Sequence, residues 1–141
     1  MGQNMSNVEK AVEIFRGGLS CSQAVLGAYC EQLGLDEETA YKIGSGFGGG
    51  MHLDQACGAV TGAFMVIGLK FDDDKMKVVE ATREFAEKFK ERHGSVGCTE
   101  LIGCDVSTPE GLKEAVKKDL FKQLCPEFVE SAAQILEEII T

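Results

Sequence analysis

The sequence predicts an all-α fold in a single domain spanning residues 1–141. Three observations support this. Helix start and stop signals recur along the chain, while the strict apolar–polar alternation of strands is rare. Only two prolines interrupt 141 residues. A chain of this length also buries roughly 70% of the surface it would expose unfolded, so its core needs no disulfide or metal staples.

The elements follow in order. Ser6 and Glu9 form a Ser-x-x-Glu capping box, Val8, Ala11, Val12 and Phe15 continue at helical spacing, and Gly17-Gly18 stop the helix. Gly2 and Ser6 also match a short myristoylation pattern, for which a helix cap at Ser6 is the plainer reading. Ser20 and Gln23 form a second capping box, leading a helix through Ala24, Val25 and Ala28 to Leu33 and Gly34. Asp36 caps a short third helix up to Ile43, and a glycine-rich loop, Gly44 to Gly50, comes next. Asp54 is expected to cap a fourth helix ending near Leu69, in which Gly58 and Gly62, and Ala59 and Ala63, recur at a spacing that admits another backbone. That helix belongs at the centre of the domain or in a subunit interface. Asp73 or Asp74 opens a fifth, with Met76, Val79, Phe85, Ala86 and Phe89 as its apolar positions, closing at His93-Gly94. Thr108-Pro109-Glu110 starts another, continuing through Leu112, Ala115, Val116 and Leu120. Cys125-Pro126-Glu127 starts the last. The count is six or seven helices.

Composition narrows the function. Fourteen basic residues against 23 acidic ones give a net charge of -9, which disfavours nucleic acids and anionic membranes. The longest apolar run, Ala56 to Leu69, is 14 residues, too short to span a bilayer. The polar first ten residues hold no signal peptide core. A soluble, cytoplasmic location follows as the expectation, and there cysteines act as thiols, metal ligands or redox groups.

The six cysteines are Cys21, Cys30, Cys57, Cys98, Cys104 and Cys125, with no Cys-x-x-Cys pair among them. Four fall at expected helix starts. Cys21 follows the Ser20 cap, Cys57 is the third residue after Asp54, Cys125 precedes Pro126, and Cys98 opens a short helical turn. Free N–H groups and partial positive charge at helix N-termini favour thiolate, the nucleophilic and metal-binding form. Cys30 reads as a small core residue inside the second helix, and Cys104 lies in a loop.

These residues resemble a known family. Cys21-Ser22-Gln23-Ala24-Val25, Gly44-Ser45-Gly46-Phe47-Gly48-Gly49-Gly50-Met51, Cys57-Gly58-Ala59-Val60-Thr61-Gly62, Cys98 and Cys125 resemble the redox-active proteins named for the pattern C_GCAxxG_C_C, from about Ile14 to Ile139. The middle motif here reads Cys-Gly-Ala where the label has Gly-Cys-Ala. The resemblance implies a redox role with Cys21, Cys57, Cys98 and Cys125 as the functional set, and a redox partner protein.

Two chemistries suit such thiols: a four-cysteine iron–sulfur cluster, or thiol–disulfide exchange. Structural zinc in a non-enzymatic or interaction domain, with the apolar fourth helix as a homodimer interface, is the alternative, although zinc ligands usually come as two close pairs. The four thiols are expected to meet at one end of the bundle near Gly48, Gly49 and Gly50, whose N–H groups can face sulfur or an anion. The segment formally satisfies G-x-G-x-x-G, but a dinucleotide site needs a preceding strand and an immediately following helix. His93 and His52 are candidate neighbours of the thiols. Their alternatives are a histidine at a helix C-terminus and an exposed loop histidine.

Overall fold

The structure, a computed structural model, describes residues 5–53 and 55–140. These form eight α-helices, three short 3-10 turns and one isolated antiparallel bridge.

The capping chemistry sets the early boundaries. Helix α1 (Asn7–Arg16) starts at Ser6, whose Oγ accepts from the Glu9 N–H at 3.1 Å while Glu9 Oε1 accepts from the Ser6 N–H at 3.0 Å. Helix α2 (Cys21–Tyr29) repeats the device with Ser20 and Gln23. It ends earlier than the spacing suggests, passing into a 3-10 turn over Glu31–Leu33 that Gly34 closes at φ 90°. Cys30 therefore caps α2 from its end and is fully buried. Asp36 caps α3 (Glu37–Gly44) through the Thr39 N–H. Gly2 lies outside the described residues.

Helix α4 (Gly58–Phe71) begins later than a cap at Asp54 would set it, and Asp54 lies outside the described residues. The reason is tertiary. The Cys57 N–H donates to Val96 O at 2.7 Å, and the Cys98 N–H donates to Gln55 O at 2.9 Å, around the Ala56–Gly97 bridge. A segment paired sideways in this way cannot also wind into a helix, so Cys57 becomes the N-cap of α4 rather than its third residue.

Helix α5 (Lys75–His93) starts at Asp74 and stops at Gly94, φ 85°. Its Phe85 and Phe89 are buried, but Met76 and Val79 face outward, contrary to their expected apolar role. Helix α6 (Cys98–Ile102) is one short turn, and α7 (Pro109–Lys117) has Pro109 at its first position and Thr108 as cap. The expected start at Cys125-Pro126 is not where the last helix begins. Helix α8 (Leu120–Ile140) runs through Pro126, and the break falls at Asp119, φ 59°. Pro126 offers no N–H to the carbonyl four residues back. The turn before it nonetheless stays helical, because Leu120, Phe121 and Leu124 pack on the core. Leu120 thus belongs to α8, not to α7.

Helix α2 is the hub, packed against α1, α3, α4 and α8. Its approach to α4 is at backbone distance. A Cβ on Gly58 would lie 3.0 Å from Ser22 N, and one on Gly62 would lie 2.8 Å from Ser22 O. The small-residue face of α4 is therefore used inside the domain. Around this pair Leu26, Val60, Ile67, Phe85, Val129 and Leu136 fill the core. No helix among the described residues is long and apolar enough to cross a membrane.

Candidate functional site

The close crossing of α2 and α4 brings two helix starts together. Cys21 is the first residue of α2 and Cys57 caps α4. A Cβ on Gly58, the residue after Cys57, would stand 3.1 Å from Cys21 Cβ. Cys125 joins them from α8. It lies in that helix's second turn rather than at its start, next to the proline that interrupts the backbone ladder. All three are buried.

Thiol–thiol hydrogen bonding to Cys125, then to Cys57, together with burial, pushes the Cys21 pKa well above the ordinary thiol range. Cys57 moves the other way. Hydrogen bonding from Cys21 lowers its pKa, burial opposes this, and the Ala59 and Val60 N–H groups at the start of α4 lower it further. Cys21 is thus the less acidic thiol at the centre of the group, and Cys57 the more acidic one.

Cys98, also buried, opens α6. The bridge hydrogen bonds tie its backbone to the segment that carries Cys57. The glycine-rich segment runs along the same end of the molecule, as 3-10 turns over Ser45–Phe47 and Gly49–His52 rather than as an open loop. Gly48 abuts Ser20, where a Cβ would come within 2.8 Å of the Ser20 side chain. At Gly50 a Cβ would come within 2.8 Å of Cys98 Cβ. Gly49, Gly50, Met51 and His52 all have φ near +60°, a left-handed turn that costs Met51 and His52 roughly 1–2 kcal/mol each. The strain is stored beside the cysteines, as is common around functional sites.

Ser22 is a residue that the motifs did not single out. Fully buried, it donates from Oγ to Gly44 O at 2.7 Å and lies 3.1 Å from Ser20 Oγ, fastening the glycine segment to the first turn of α2. A hydroxyl immediately after Cys21, at the start of a mostly apolar helix, was the available signal. His93, at the end of α5, packs on rings rather than thiols, with centroids 4.7 Å from Phe89 and 5.0 Å from Phe128. Burial lowers its pKa. Cys30 donates to Gly27 O inside the core, and Cys104 is half-buried in the loop after α6.

The thiols open to solvent on one side. A cavity of about 790 Å³ is lined by Cys21 and Cys125, by Gly48, by Gly49 and His52 of the left-handed turn, and by side chains of α1, α7 and α8. Cys57 lies behind Cys21, away from the cavity wall.

The sequence order of these cysteines and glycines matches the model of a family described as "Putative redox-active protein (C_GCAxxG_C_C)" over residues 19–139. The chain belongs to this family. Neither a curated protein nor a solved structure matches it significantly. The C_GCAxxG_C_C match takes in all four cysteines, and in this member three of them share one thiol group, two of whose members border the cavity. Among the described residues, no three His, Cys, Asp or Glu side chains are arranged to hold a metal ion.

Proposed function

We propose that this protein performs two-electron thiol–disulfide exchange, with Cys21 as the sulfur that meets the substrate and Cys57 as its partner. The observation that carries the reading is the unequal pair itself. Cys21 borders the cavity, and the more acidic Cys57 sits directly behind it on the N–H groups of α4.

The chemistry balances with a disulfide as co-reactant. Cys21 passes its proton along the hydrogen bond to the Cys57 sulfur and attacks one sulfur of the incoming disulfide. That S–S bond breaks, one substrate thiolate leaves, and a mixed disulfide forms on Cys21. Cys57, deprotonated again by the departing thiolate, attacks the Cys21 sulfur and releases the second substrate thiolate. The protein loses two electrons and gains a Cys21–Cys57 disulfide, while the substrate takes the electrons and the one proton of the pair, leaving as a thiol and a thiolate that takes its proton from water. In reverse, Cys57 is the leaving group, and a low leaving-group pKa speeds that step. Cys125 borders the same cavity and hydrogen-bonds with Cys21, so it helps to hold the proton before attack.

The test is peptide mapping by mass spectrometry after anaerobic equilibration in bis(hydroxyethyl) disulfide and mercaptoethanol, with iron, zinc and acid-labile sulfide assayed on the same sample. The expected result is a reversible Cys21–Cys57 disulfide, and a trapped mixed disulfide on Cys21 in Cys57→Ser. A Cys21 that stays reduced at every ratio, or protein that carries iron and sulfide in stoichiometric amount, would overturn the reading.

A further inference from the structure

The walls of the cavity bear on what Cys21 meets. The chain as a whole is acidic, with 23 Asp and Glu against 14 Lys and Arg. The cavity reverses that sign. Arg16 from the last turn of α1 and Lys122 from the first turn of α8 line it together with His52, and among the described residues no carboxylate does. Among the described residues neither Arg16 nor Lys122 is paired with a carboxylate, whereas Lys42, Lys88, Arg92 and Lys118 all are. Phe15 and Phe121 supply apolar wall to the same cavity. A volume of about 790 Å³ is within the usual range for a small-molecule site.

We propose that the cavity beside Cys21 binds a small anionic thiol or disulfide, one carrying carboxylates that Arg16 and Lys122 recognise while its sulfur reaches Cys21. The proposal rests on the exchange reading above and adds the substrate class to it. The reaction is the one already written, with the anion as the disulfide that is reduced or, in reverse, as the thiols that are oxidised. The recognition is electrostatic at the rim. Both cations are exposed, so they act mainly by drawing in and orienting an anion, and salt weakens them.

The test compares three symmetrical disulfides as oxidants of the reduced protein: dithiodipropionate, a dianion; bis(hydroxyethyl) disulfide, neutral; and cystamine, a dication. Each rate constant is divided by that of the same disulfide with a free small thiol, which removes intrinsic reactivity. At low salt the dianion should exceed the dication on the order of tenfold after normalisation. The ratio should shrink toward unity by about 0.5 M salt, where the screening length is only a few ångströms. The double variant Arg16→Gln/Lys122→Gln should lose the preference at low salt as well. The charge-matched control Lys70→Gln/Lys90→Gln, altering exposed lysines outside the cavity, should keep it. Equal normalised rates for all three disulfides, or a preference that survives in the Arg16/Lys122 variant, would sink the assignment of an anion but leave exchange standing. Failure of even the neutral disulfide to oxidise Cys21 would bring down the exchange reading and this one with it.

Discussion

Cys57 owes its acidity to two neighbours of different kinds, the Cys21 thiol and the free N–H groups of α4. An ordinary thiol titrates near about 8.5. The pair should therefore deliver reactive sulfur below that range, because Cys57 loses its proton early and can then accept the proton of Cys21. In wild-type protein, the rate of oxidation by a neutral disulfide should reach half its maximum below the ordinary thiol range. In Cys57→Ser, Cys21 keeps the hydrogen bonding to Cys125 and the burial that raise its pKa. Its half-maximum should move above that range, which stopped-flow measurement across pH will detect. Unmoved profiles would mean that Cys57 does not govern Cys21. Cys21 and Cys98 were legible from sequence because a helix's first position is set by neighbours within four residues. The role of Cys57 as a cap was not legible, since it depends on the pairing of residues 55–57 with Val96, Gly97 and Cys98.

Helix α4 carries two glycines that test opposite effects. Gly→Ala inside a helix gains about 1 kcal/mol from propensity. At Gly62 the added methyl would meet the Ser22 backbone at 2.8 Å, and overpacking of this kind costs roughly 1–3 kcal/mol. The clash wins there, so Gly62→Ala should lower stability by about 1 kcal/mol and disturb the Cys21–Cys57 approach. At Gly68 nothing lies within 4 Å of the added methyl, so Gly68→Ala should raise stability by roughly 0.5–1 kcal/mol. Urea denaturation of the two variants separates these effects, and the same sign for both would contradict the packing argument. The spacing of Gly58 and Gly62 announced a close approach but not the partner, which turned out to be α2. The start of α8 shows the limit in the other direction. Thr108-Pro109-Glu110 and Cys125-Pro126-Glu127 read alike, yet only the first begins a helix. Thr108 has an oxygen that caps the Gly111 N–H at 3.0 Å, whereas before Cys125 the side chains of Leu120, Phe121 and Leu124 pack on the core, so the helix is carried through its proline.

Across the whole molecule, Tyr29 ties the hub helix to the end of the chain. Fully buried, its hydroxyl shares its one proton between Glu137 Oε2 at 2.7 Å and Ala133 O at 3.1 Å. Tyr29→Phe should cost about 1.5–3 kcal/mol, the range for a hydrogen bond to a charged group. Burial first, and Glu137 second, push the tyrosine pKa far above its ordinary value of about 10. A pKa raised on folding gives stability that is complete below the unfolded value and is lost as pH rises toward the folded one. The gap between wild type and Tyr29→Phe should then narrow as pH climbs past about 10 in denaturation series. A gap that stays constant would remove the tyrosine from the alkaline limb. Sequence by itself determined the all-α class, most helix caps, Cys30 as core, and the family, because capping and periodicity are satisfied within a few residues. Only the tertiary structure decided that Cys21, Cys57 and Cys125 share one thiol group and that a cavity lined by Arg16 and Lys122 opens beside it on an acidic protein. These depend on contacts across tens of residues, where the close packing of α2 on α4, and not any local signal, sets which side chains meet.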